Sequence, residues 1–411
     1  MESDYKKLSQ YIREVSNKNS DLQVKRLLGV SVNKVFIPSI ANIVGTDLRN
    51  YKIVLKNQFA YGPVTSRNSD KISIALLDED ECIISTSYTV FEIIDTNELL
   101  PEYLMMWFRR EEFDRYARYM SHGSVREIFG WEEMCDVEIP VPDIEIQKEI
   151  VKEYNTIINR IELNNQLIQK LEETAQTIYK QWFVDFEFPD ENGNPYKSSG
   201  GEMEYNEELN MEIPIGWEYV PVSDISKDIV CGKTPPTSNK KNYGNYMPFV
   251  TIPDMHNKIF TNKTQRLLSE KGVNTQKNKT LPVNSICVSC IATAGLTILT
   301  SEECQTNQQI NSIICNNNIS PYYIYFVFKN MGEQIKDWGL KGTVGANLNK
   351  TEFSQIKIIK PKDYIMLSFD KLIEPVFKTI KNYELELNLL VDFRQILLSK
   401  MSKIPVEVVA K

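Results

Sequence analysis

The stretch IVKEYNTIINRIELNNQLIQKLEETAQTIYKQW, residues 150–182, decides how the rest of the chain is interpreted. Its large side chains recur in alternating steps of four and three residues, a period typical of a helix that meets a partner in a left-handed supercoil. An ordinary amphipathic helix on a globular core is the alternative interpretation. The predicted seam consists of Ile150, Tyr154, Ile157, Ile161, Asn164, Ile168, Leu171, Ala175, Ile178 and Trp182.

The same stripe occurs again about 219 residues later. Each stripe predicts a helix of roughly 40 residues, about 60 Å long. Because the stripe occurs twice, each helix is expected to have the other as its antiparallel partner. Asn164 falls in the seam, where a single polar residue can fix register, and Pro375 predicts a kink or a restart of the second helix. The corresponding seam positions are Phe369, Ile373, Val376, Ile380, Tyr383, Leu387, Leu390, Arg394, Leu397 and Met401.

The residues in front of the two stripes are also repeated, which indicates that the chain contains two copies of one unit. The matching segments are Pro101 and Tyr103 with Pro321 and Tyr323, Gly123-Ser124-Val125 with Gly342-Thr343-Val344, and residues 137–142 with residues 356–361.

The repeat predicts an α+β protein in which two α/β-mixed domains are related by pseudo-twofold symmetry and separated by an antiparallel pair of long coiled-coil helices. Turn-forming residues without periodicity mark a linker between the two copies. The predicted boundaries are 1–142 for the first domain, 143–186 for the first helix, 187–216 for the linker, 217–361 for the second domain, and 362–411 for the second helix with a C-terminal tail.

The charge of the 411-residue chain is −8 overall but is unevenly distributed. Residues 143–228 carry 7 basic and 19 acidic side chains, whereas residues 229–361 carry 15 basic and 7 acidic ones. Residues 6–71 are also basic, with 12 basic and 4 acidic side chains. Two basic regions that flank an acidic segment favour a nucleic-acid partner for the basic regions.

Other classes of protein find little support. No apolar leader or membrane span is evident, and seven cysteines spread over a long chain fit a reducing cytoplasm. Gly232-Lys233-Thr234 lacks the earlier glycine of a phosphate-binding loop. The cysteines at 287, 290, 304 and 315 lack zinc-ligand spacing, so we expect buried thiols. We predict no catalytic and no metal site.

Basic and polar side chains are the candidates for contacts with DNA, with a solvated lysine-rich face as the alternative. The amides of residues 307–309 can pair with adenine edges, although a turn with capped amides explains them equally well. The candidates are Lys34, Tyr61, Arg67, Ser124, Arg126, Lys233, Thr234, Lys240, Lys241, Lys277, Lys279, Asn307, Gln308, Gln309, Lys341 and Thr343.

Several segments carry a family likeness that covers essentially the whole chain. The central segments 161–166, 171–176, 181–186 and 196–203 closely resemble the middle of type I restriction-modification specificity subunits. Gly232-Lys233-Thr234-Pro235 resembles the opening of a target-recognition domain in that family. Ile139-Pro140-Val141-Pro142, with Gln147 beyond it, resembles the way such a domain ends and its helix begins.

This resemblance implies a non-catalytic, cytoplasmic DNA-recognition subunit with two target-recognition domains, each reading one half of a bipartite, gapped target in double-stranded DNA. It also implies that the helices dock two methylation subunits, which bind S-adenosylmethionine, and that restriction subunits join through the complex. The second copy departs from the pattern at Lys360-Pro361, Met366 and Pro375. A coiled-coil assembly scaffold that recognises no DNA is the alternative function.

Overall fold

The computed structural model describes residues 5–39, 45–66, 68, 71–123, 126–341 and 348–403. The chain divides into two compact units, one made of Met1–Arg160 with Leu390–Lys411 and the other of Ile161–Leu389. Each unit combines short strands with short helices and with segments of two long helices. The mixed α and β composition in two domains agrees with the predicted fold class.

The first unit is built on antiparallel strands, and its largest sheet has the order β2-β10-β7-β8. A separate pair, β1 with β11, joins the start of the chain to the residues that precede the first long helix. The strands are β1 Tyr5–Lys7, β2 Ile12–Val15, β3 Asn17–Lys18, β4 Leu28–Val30, β5 Phe36–Pro38, β6 Lys52–Leu55, β7 Phe59–Tyr61, β8 Ile74–Leu76, β9 Glu81–Ile84, β10 Thr89–Ile93 and β11 Glu138–Pro140. The helices are α1 Pro101–Phe108, α2 Glu111–Met120, α3 Trp131–Cys135 and α4 Ile144–Phe183.

The second unit repeats this arrangement, with a sheet of order β15-β21-β18-β19 and a separate pair of β14 with β22. The strands are β12 Met203–Asn206, β13 Met211–Pro214, β14 Glu218–Pro221, β15 Ser226–Cys231, β16 Tyr243–Val250, β17 Arg266–Leu268, β18 Ile286–Ser289, β19 Thr297–Leu299, β20 Gln305–Thr306, β21 Ile310–Cys315 and β22 Lys357–Lys360. The helices are α5 Val222–Ile225, α6 Ile252–Met255, α7 Glu270–Asn274, α8 Pro321–Asn330, α9 Gly332–Lys341, α10 Lys350–Ser354 and α11 Asp363–Lys400.

The sequence repeat corresponds to equivalent elements in the two units. Helices α3 and α10 begin 219 residues apart, and so do α4 and α11. The Tyr103 hydroxyl donates to the Pro140 carbonyl at 3.1 Å, and the Tyr323 hydroxyl donates in the same way to the Ile359 carbonyl. A short helix is thus fastened to the last strand of each unit by a matching tyrosine.

The ends of the long helices are core elements of the two units. In the second unit, the Phe369 ring of α11 lies 5.8 Å from Trp182 and 4.9 Å from Phe183 of α4. In the first unit, Tyr154 of α4 and Leu398 of α11 belong to one buried cluster. The long helices therefore contribute apolar side chains to the core of each unit.

Helix α11 continues through Pro375, so the restart predicted there does not occur. The proline lies on an exposed part of the helix, and so does Lys371. In a regular helix the N–H of residue 375 would donate to the Lys371 carbonyl. Because Pro375 has no N–H, this exposed carbonyl can accept a hydrogen bond from water instead. The Thr379 hydroxyl donates to the Pro375 carbonyl at 2.8 Å.

Burial along the predicted seam is unequal. Asn164 is fully buried, and neither polar atom of its amide has a hydrogen-bond partner in the described part of the chain. Other members of the predicted seam are buried as well, namely Tyr154, Ala175, Phe369, Ile373, Ile380 and Met401, whereas the remaining ones are half-buried. The pairing of all these residues in one seam stays a prediction. The half-buried members are Ile150, Ile157, Ile161, Ile168, Leu171, Ile178, Trp182, Val376, Tyr383, Leu387, Leu390, Arg394 and Leu397.

The segment predicted as a linker is more ordered than its sequence suggested. It contains the antiparallel pair β12 with β13, and Phe188 and Ile213 are buried. The Phe188 ring stacks on Tyr196 at 4.5 Å and on Trp217 at 5.4 Å. Aromatic residues scattered among turn formers have no period, which is why the sequence pattern did not reveal these contacts. The domain boundaries themselves stay predictions.

Candidate nucleic-acid interface

Lys34, predicted to contact DNA, lies in the interior of the first unit. Its side chain is 6% exposed, and its ammonium group lies 2.8 Å from the Asp114 carboxylate and donates to the Phe108 carbonyl. Burial lowers the pKa of the Lys34 ammonium, and the neighbouring carboxylate opposes that change. The prediction for Lys34 is corrected, because a buried and paired ammonium presents no charge to a phosphate.

Tyr61 is also a core residue, and its prediction is corrected in the same way. The side chain is fully buried in β7, and its ring makes edge contacts with Phe91 at 6.1 Å and with Phe129 at 6.4 Å. Burial raises the pKa of the Tyr61 hydroxyl. A short strand that is buried on both faces shows no alternation of apolar and polar residues, so the sequence does not reveal that Tyr61 is buried.

The remaining candidates in the first unit give a mixed result. Arg126 is exposed, close to the tight backbone turn at Gly123. Arg67 and Ser124 lie outside the described residues, as does Thr343 in the second unit and the side chain of Lys341.

In the second unit, two candidate segments that are distant in sequence lie side by side. The Lys233 N–H donates to the Thr306 carbonyl at 2.9 Å, and the Thr234 hydroxyl donates to the Gln308 amide oxygen at 2.6 Å. A Cβ atom at Gly232 would lie 2.1 Å from the Asn307 carbonyl oxygen. Only glycine permits this approach, so the Gly-Lys-Thr sequence serves to pack one loop on another.

A buried glutamine brings a third segment to the same place. The Gln276 amide donates to the Lys233 carbonyl at 2.7 Å and to the Gln305 amide oxygen at 2.9 Å. The short helical turn that follows carries the exposed Lys277 and the half-buried Lys279. These lysines are therefore held next to Lys233 by a polar network beneath the surface.

The turn that contains Lys240 and Lys241 is fixed by backbone contacts with the residues before α7. The Ser269 N–H donates to the Asn242 carbonyl at 3.0 Å, and the Ser269 hydroxyl donates to the Lys241 carbonyl at 2.6 Å. Both lysine side chains are exposed. Beside this turn lies a groove of about 490 Å³, lined by Thr237, Lys240, Tyr243, Gly244, Gln265, Arg266 and Leu267.

The amides at 307–309 differ in their availability. Asn307 is 8% exposed, its amide donates to the Gln309 amide oxygen at 2.8 Å, and its own oxygen accepts the Gln309 N–H at 3.1 Å. This geometry favours the capped turn, which was the alternative interpretation of the sequence. Gln308 is exposed, and Gln309 is half-buried.

The surface formed by these segments is strongly positive. Residues 232–280 contain eight Lys and one Arg but only Asp254 and Glu270 as acidic residues. Asp254 is 3% exposed, and its carboxylate accepts the N–H groups of Thr251 and Gln265, each at 2.8 Å. The exposed charge is therefore almost entirely basic. We call Lys233, Lys240, Lys241, Arg266, Lys277 and Lys279 the basic cluster.

Three residues of this surface escaped the sequence analysis. Arg266 and Gln276 reach the basic cluster through strand pairing and a buried network, which no local pattern indicates. The third, Tyr246, lies on β16 and is 60% exposed. The Gly244-Asn245 pair just before Tyr246, inside a strand-like stretch, was the available signal for a local bulge.

The described residues contain no group of His, Cys, Asp and Glu side chains arranged to hold a metal ion. Cys287 and Cys290 are buried, and burial raises the pKa of each thiol to about 12, which keeps both protonated. In the described part of the chain, no helix has the length and apolarity required to cross a membrane.

Comparison with known families matches residues 35–173 and 214–406 to the type I restriction modification DNA specificity domain. The chain belongs to the type I restriction-modification DNA specificity family. The specificity subunit of the HindI type I restriction enzyme from Haemophilus influenzae is 31% identical over 421 residues, covering 90% of this chain and 91% of the relative. The MjaIX specificity subunit from Methanocaldococcus jannaschii is 27% identical, covering 77% of this chain and 72% of its own length.

The fold agrees with that of a solved specificity subunit. The crystal structure of the type I S subunit from M. genitalium has a TM-score of 0.58 and 15% identity, covering 97% of this chain and 95% of that one. The protein is thus a type I specificity subunit, and DNA recognition is the role that its family implies.

Proposed function

We propose that each unit of this specificity subunit reads one half of a bipartite, gapped target in double-stranded DNA, and that the second unit does so through the basic cluster. The observation that carries this proposal is that three separate loops, at Lys233, Lys240 and Lys277, are held together by hydrogen bonds and bear exposed charge that is almost entirely basic. Lysine and arginine supply the attraction to phosphates, and neighbouring amides can contact base edges.

The dependence of DNA affinity on salt tests this role. Each phosphate contact contributes about −0.9 to the slope of log affinity against log salt concentration. Replacing Lys240, Lys241, Lys277 and Lys279 with Ala is expected to flatten the slope by up to about 3.6. The measurement uses the subunit in complex with its methylation subunits and duplex fragments of the host genome.

A matched control replaces four exposed lysines of the acidic segment, Lys148, Lys170, Lys180 and Lys197, and is expected to leave the slope unchanged. An unchanged slope in the first variant would remove the basic cluster from the interface. Failure of the wild-type complex to retain any genomic fragment would favour the alternative function, a coiled-coil scaffold without DNA recognition.

The chain acts, in this proposal, as a non-catalytic subunit whose helices dock two methylation subunits. S-adenosylmethionine binds to those partners, and restriction subunits join through the complex. The exposed surface of α11 supports protein docking, because large apolar side chains exposed together mark interaction sites. Helix α4 exposes only Leu163 of this class, whereas α11 exposes Tyr364, Leu367, Leu372, Leu385, Leu389, Val391, Phe393 and Ile396.

Copurification tests this docking surface. Replacing Leu389 and Phe393 with Asp places two charges on the apolar face of α11 and is expected to abolish copurification of the methylation subunit. Val283→Asp, at a side chain 49% exposed in the second unit, serves as the control that keeps the complex intact. The mass of the wild-type complex, measured by native mass spectrometry, gives the number of methylation subunits.

A further inference from the structure

Strand β16 contains an irregularity that turns three residues out of the sheet. Tyr243 and Met247 both pair with Leu268 of β17, so residues 244–246 have no partner in the register. A bulge of this kind redirects side chains away from the sheet surface. Gly244 packs closely on the neighbouring loop, since a Cβ atom there would lie 3.1 Å from the Cβ atom of Ser269.

The bulge presents an aromatic ring and an amide to solvent. Tyr246 is 60% exposed, and Asn245 is exposed as well. Tyrosine is enriched at interfaces, because its ring can pack on a partner while its hydroxyl forms a hydrogen bond. The described residues contain another exposed tyrosine on a strand, Tyr205, which is 59% exposed but lies in an acidic hairpin.

The surroundings of the bulge are basic on the side of β17. Tyr243 and Gly244 line the groove of about 490 Å³ together with Lys240 and Arg266. At its other end, β16 runs parallel to β20, and the Asn307 N–H donates to the Val250 carbonyl at 3.1 Å. The bulge and the turn at 307–309 are thus separated by about four strand residues, or about 13 Å.

We propose that the bulge at residues 244–246 is a specificity-determining element of the second unit, in which Tyr246 and Asn245 contact base edges of duplex DNA while Lys240 and Arg266 contact the flanking phosphates. This inference rests on the proposed function of the unit. Beside the bulge β16 pairs with β17 alone, since β20 pairs only with Phe249 and Val250, and a two-stranded ribbon fits the width of the major groove. There, an asparagine amide pairs with adenine, and an aromatic ring packs against the thymine methyl group.

Charge complementarity selects DNA as the occupant of this surface. The residues that line the groove include the cationic Lys240 and Arg266 and no acidic side chain, which suits the negatively charged DNA backbone. Phosphate contacts fix the position of the protein on DNA, and base contacts supply the sequence information. The bulge and the groove therefore have separable effects on specificity and affinity.

Methylation mapping in a host that lacks other methylases tests the proposal. The subunit is expressed with its methylation subunit, and methylated adenines are located by sequencing the host genome. Tyr246→Ala is expected to make one or more positions degenerate in one half of the target and to slow methylation of the wild-type sequence by about tenfold. The other half of the target and the gap are expected to remain unchanged.

Two controls distinguish base contact from a general loss of function. Tyr205→Ala removes an equally exposed tyrosine and is expected to leave the target and the rate unchanged. Lys240→Ala with Arg266→Ala is expected to slow methylation at every site while the recognised sequence stays the same. Asn245→Ala tests the same bulge without removing a ring and gives an answer even if Tyr246→Ala is poorly folded.

An unchanged target at an unchanged rate in both bulge variants would overturn the inference, and so would a uniform loss of rate with the wild-type target retained. The proposed function is judged separately from the wild-type complex. If that complex methylates no bipartite target, the proposed function itself fails. If it does and the bulge variants match it, only the inference about the bulge fails.

Discussion

The two units join a short helix to a long helix in the same place but with different side chains. In the first unit, the Leu100 N–H before α1 donates to the Gln147 amide oxygen at 2.9 Å, and the Gln147 amide donates to the Glu98 and Pro142 carbonyls, each at 2.8 Å. In the second unit, the position 219 residues after Gln147 is Met366, which is 1% exposed.

A different residue makes the polar contact in the second unit. Asp370, one turn beyond Met366 on α11, accepts a hydrogen bond from the Ser320 hydroxyl, which itself caps α8 by accepting the Tyr323 N–H at 3.0 Å. The polar contact between the short helix and the long helix is thus made by a buried amide in the first unit and by a carboxylate in the second. The apolar pattern fixes where the helices meet, and the polar contact can change once that position is set.

The second unit also buries a carboxylate that has no counterpart in the first copy. Glu384 of α11 is 8% exposed and accepts the N–H groups of Ile259 at 2.8 Å and Phe260 at 3.1 Å, together with the Asn262 amide at 2.7 Å. The position 219 residues earlier is Asn165, which is exposed. Glu384 therefore adds a buried carboxylate contact between α11 and residues 259–262 that Asn165 does not make at the equivalent position of α4.

The largest predicted difference between the units is in the free energy of unfolding contributed by the apolar side chain near the start of each equivalent helix. Phe369 is fully buried between aromatic rings, whereas its counterpart Ile150 is half-buried. Phe369→Ala is expected to lower the free energy of unfolding of the second unit by about 4 kcal/mol, and Ile150→Ala to lower that of the first by about 1–2 kcal/mol. Hydrogen exchange in increasing urea, followed by mass spectrometry, measures each unit separately. Equal losses of unfolding free energy would show that Phe369 and Ile150 stabilise their units to the same extent.

A smaller difference is predicted in the response of stability to pH. Burial raises the pKa of Glu384 to about 7, although the Ile259 and Phe260 N–H groups and Lys258 oppose this change. Because the folded carboxyl binds its proton more tightly than the unfolded one, the second unit is expected to lose stability as pH rises from about 5 to 7. The loss over this pH range is about 2 kcal/mol, out of about 3 kcal/mol for the complete titration, since each tenfold change in proton affinity corresponds to about 1.4 kcal/mol.

Glu384→Gln is expected to remove this dependence. The Gln oxygen can accept only one of the Ile259 and Phe260 N–H groups, so the variant is expected to be less stable than the wild type at low pH but to keep the same stability from pH 5 to pH 7. Asn165→Asp, an exposed carboxylate at the equivalent position, is the control and is expected to leave the pH dependence of unfolding unchanged. A wild-type second unit that is equally stable at pH 5 and pH 8 would contradict the prediction.

Much of this comparison could be predicted from the sequence. The 219-residue offset gave the starts of α4 and α11, and the matching tyrosines Tyr103 and Tyr323 proved to have matching hydrogen bonds. The sequence also marks Met366 as a departure from Gln147, and the hydrogen bonds of Gln147 show what this departure replaces. These features depend on apolar periodicity and local spacing, which a single sequence displays directly.

The candidate interface was harder to predict, because it depends on contacts between distant residues. Lys34 appears in the sequence as one lysine of a basic region. In the structure its ammonium group is buried and pairs with Asp114, which lies 80 residues away in the sequence. Gln276 and Arg266 join the basic cluster only through pairing of distant strands and loops. Basic composition thus located the correct region of the second unit without showing which side chains face solvent.

The smallest effect on the salt dependence of DNA affinity is predicted for Lys34, which is buried in the first unit, in contrast to the exposed Lys240 and Lys241 of the second unit. Lys34→Met combined with Asp114→Asn removes the buried ion pair and keeps an acceptor for the Ile72 N–H, which Asp114 now binds at 3.1 Å. The slope of log DNA affinity against log salt concentration is expected to change by less than about 0.2, whereas Lys240→Ala with Lys241→Ala is expected to flatten it by about 1.8. Both variants are measured in complex with the methylation subunits, with thermal melting as the control for folding. A flattening of about 0.9 in the Lys34 variant would mean that the pair opens and that Lys34 contacts a phosphate when DNA binds.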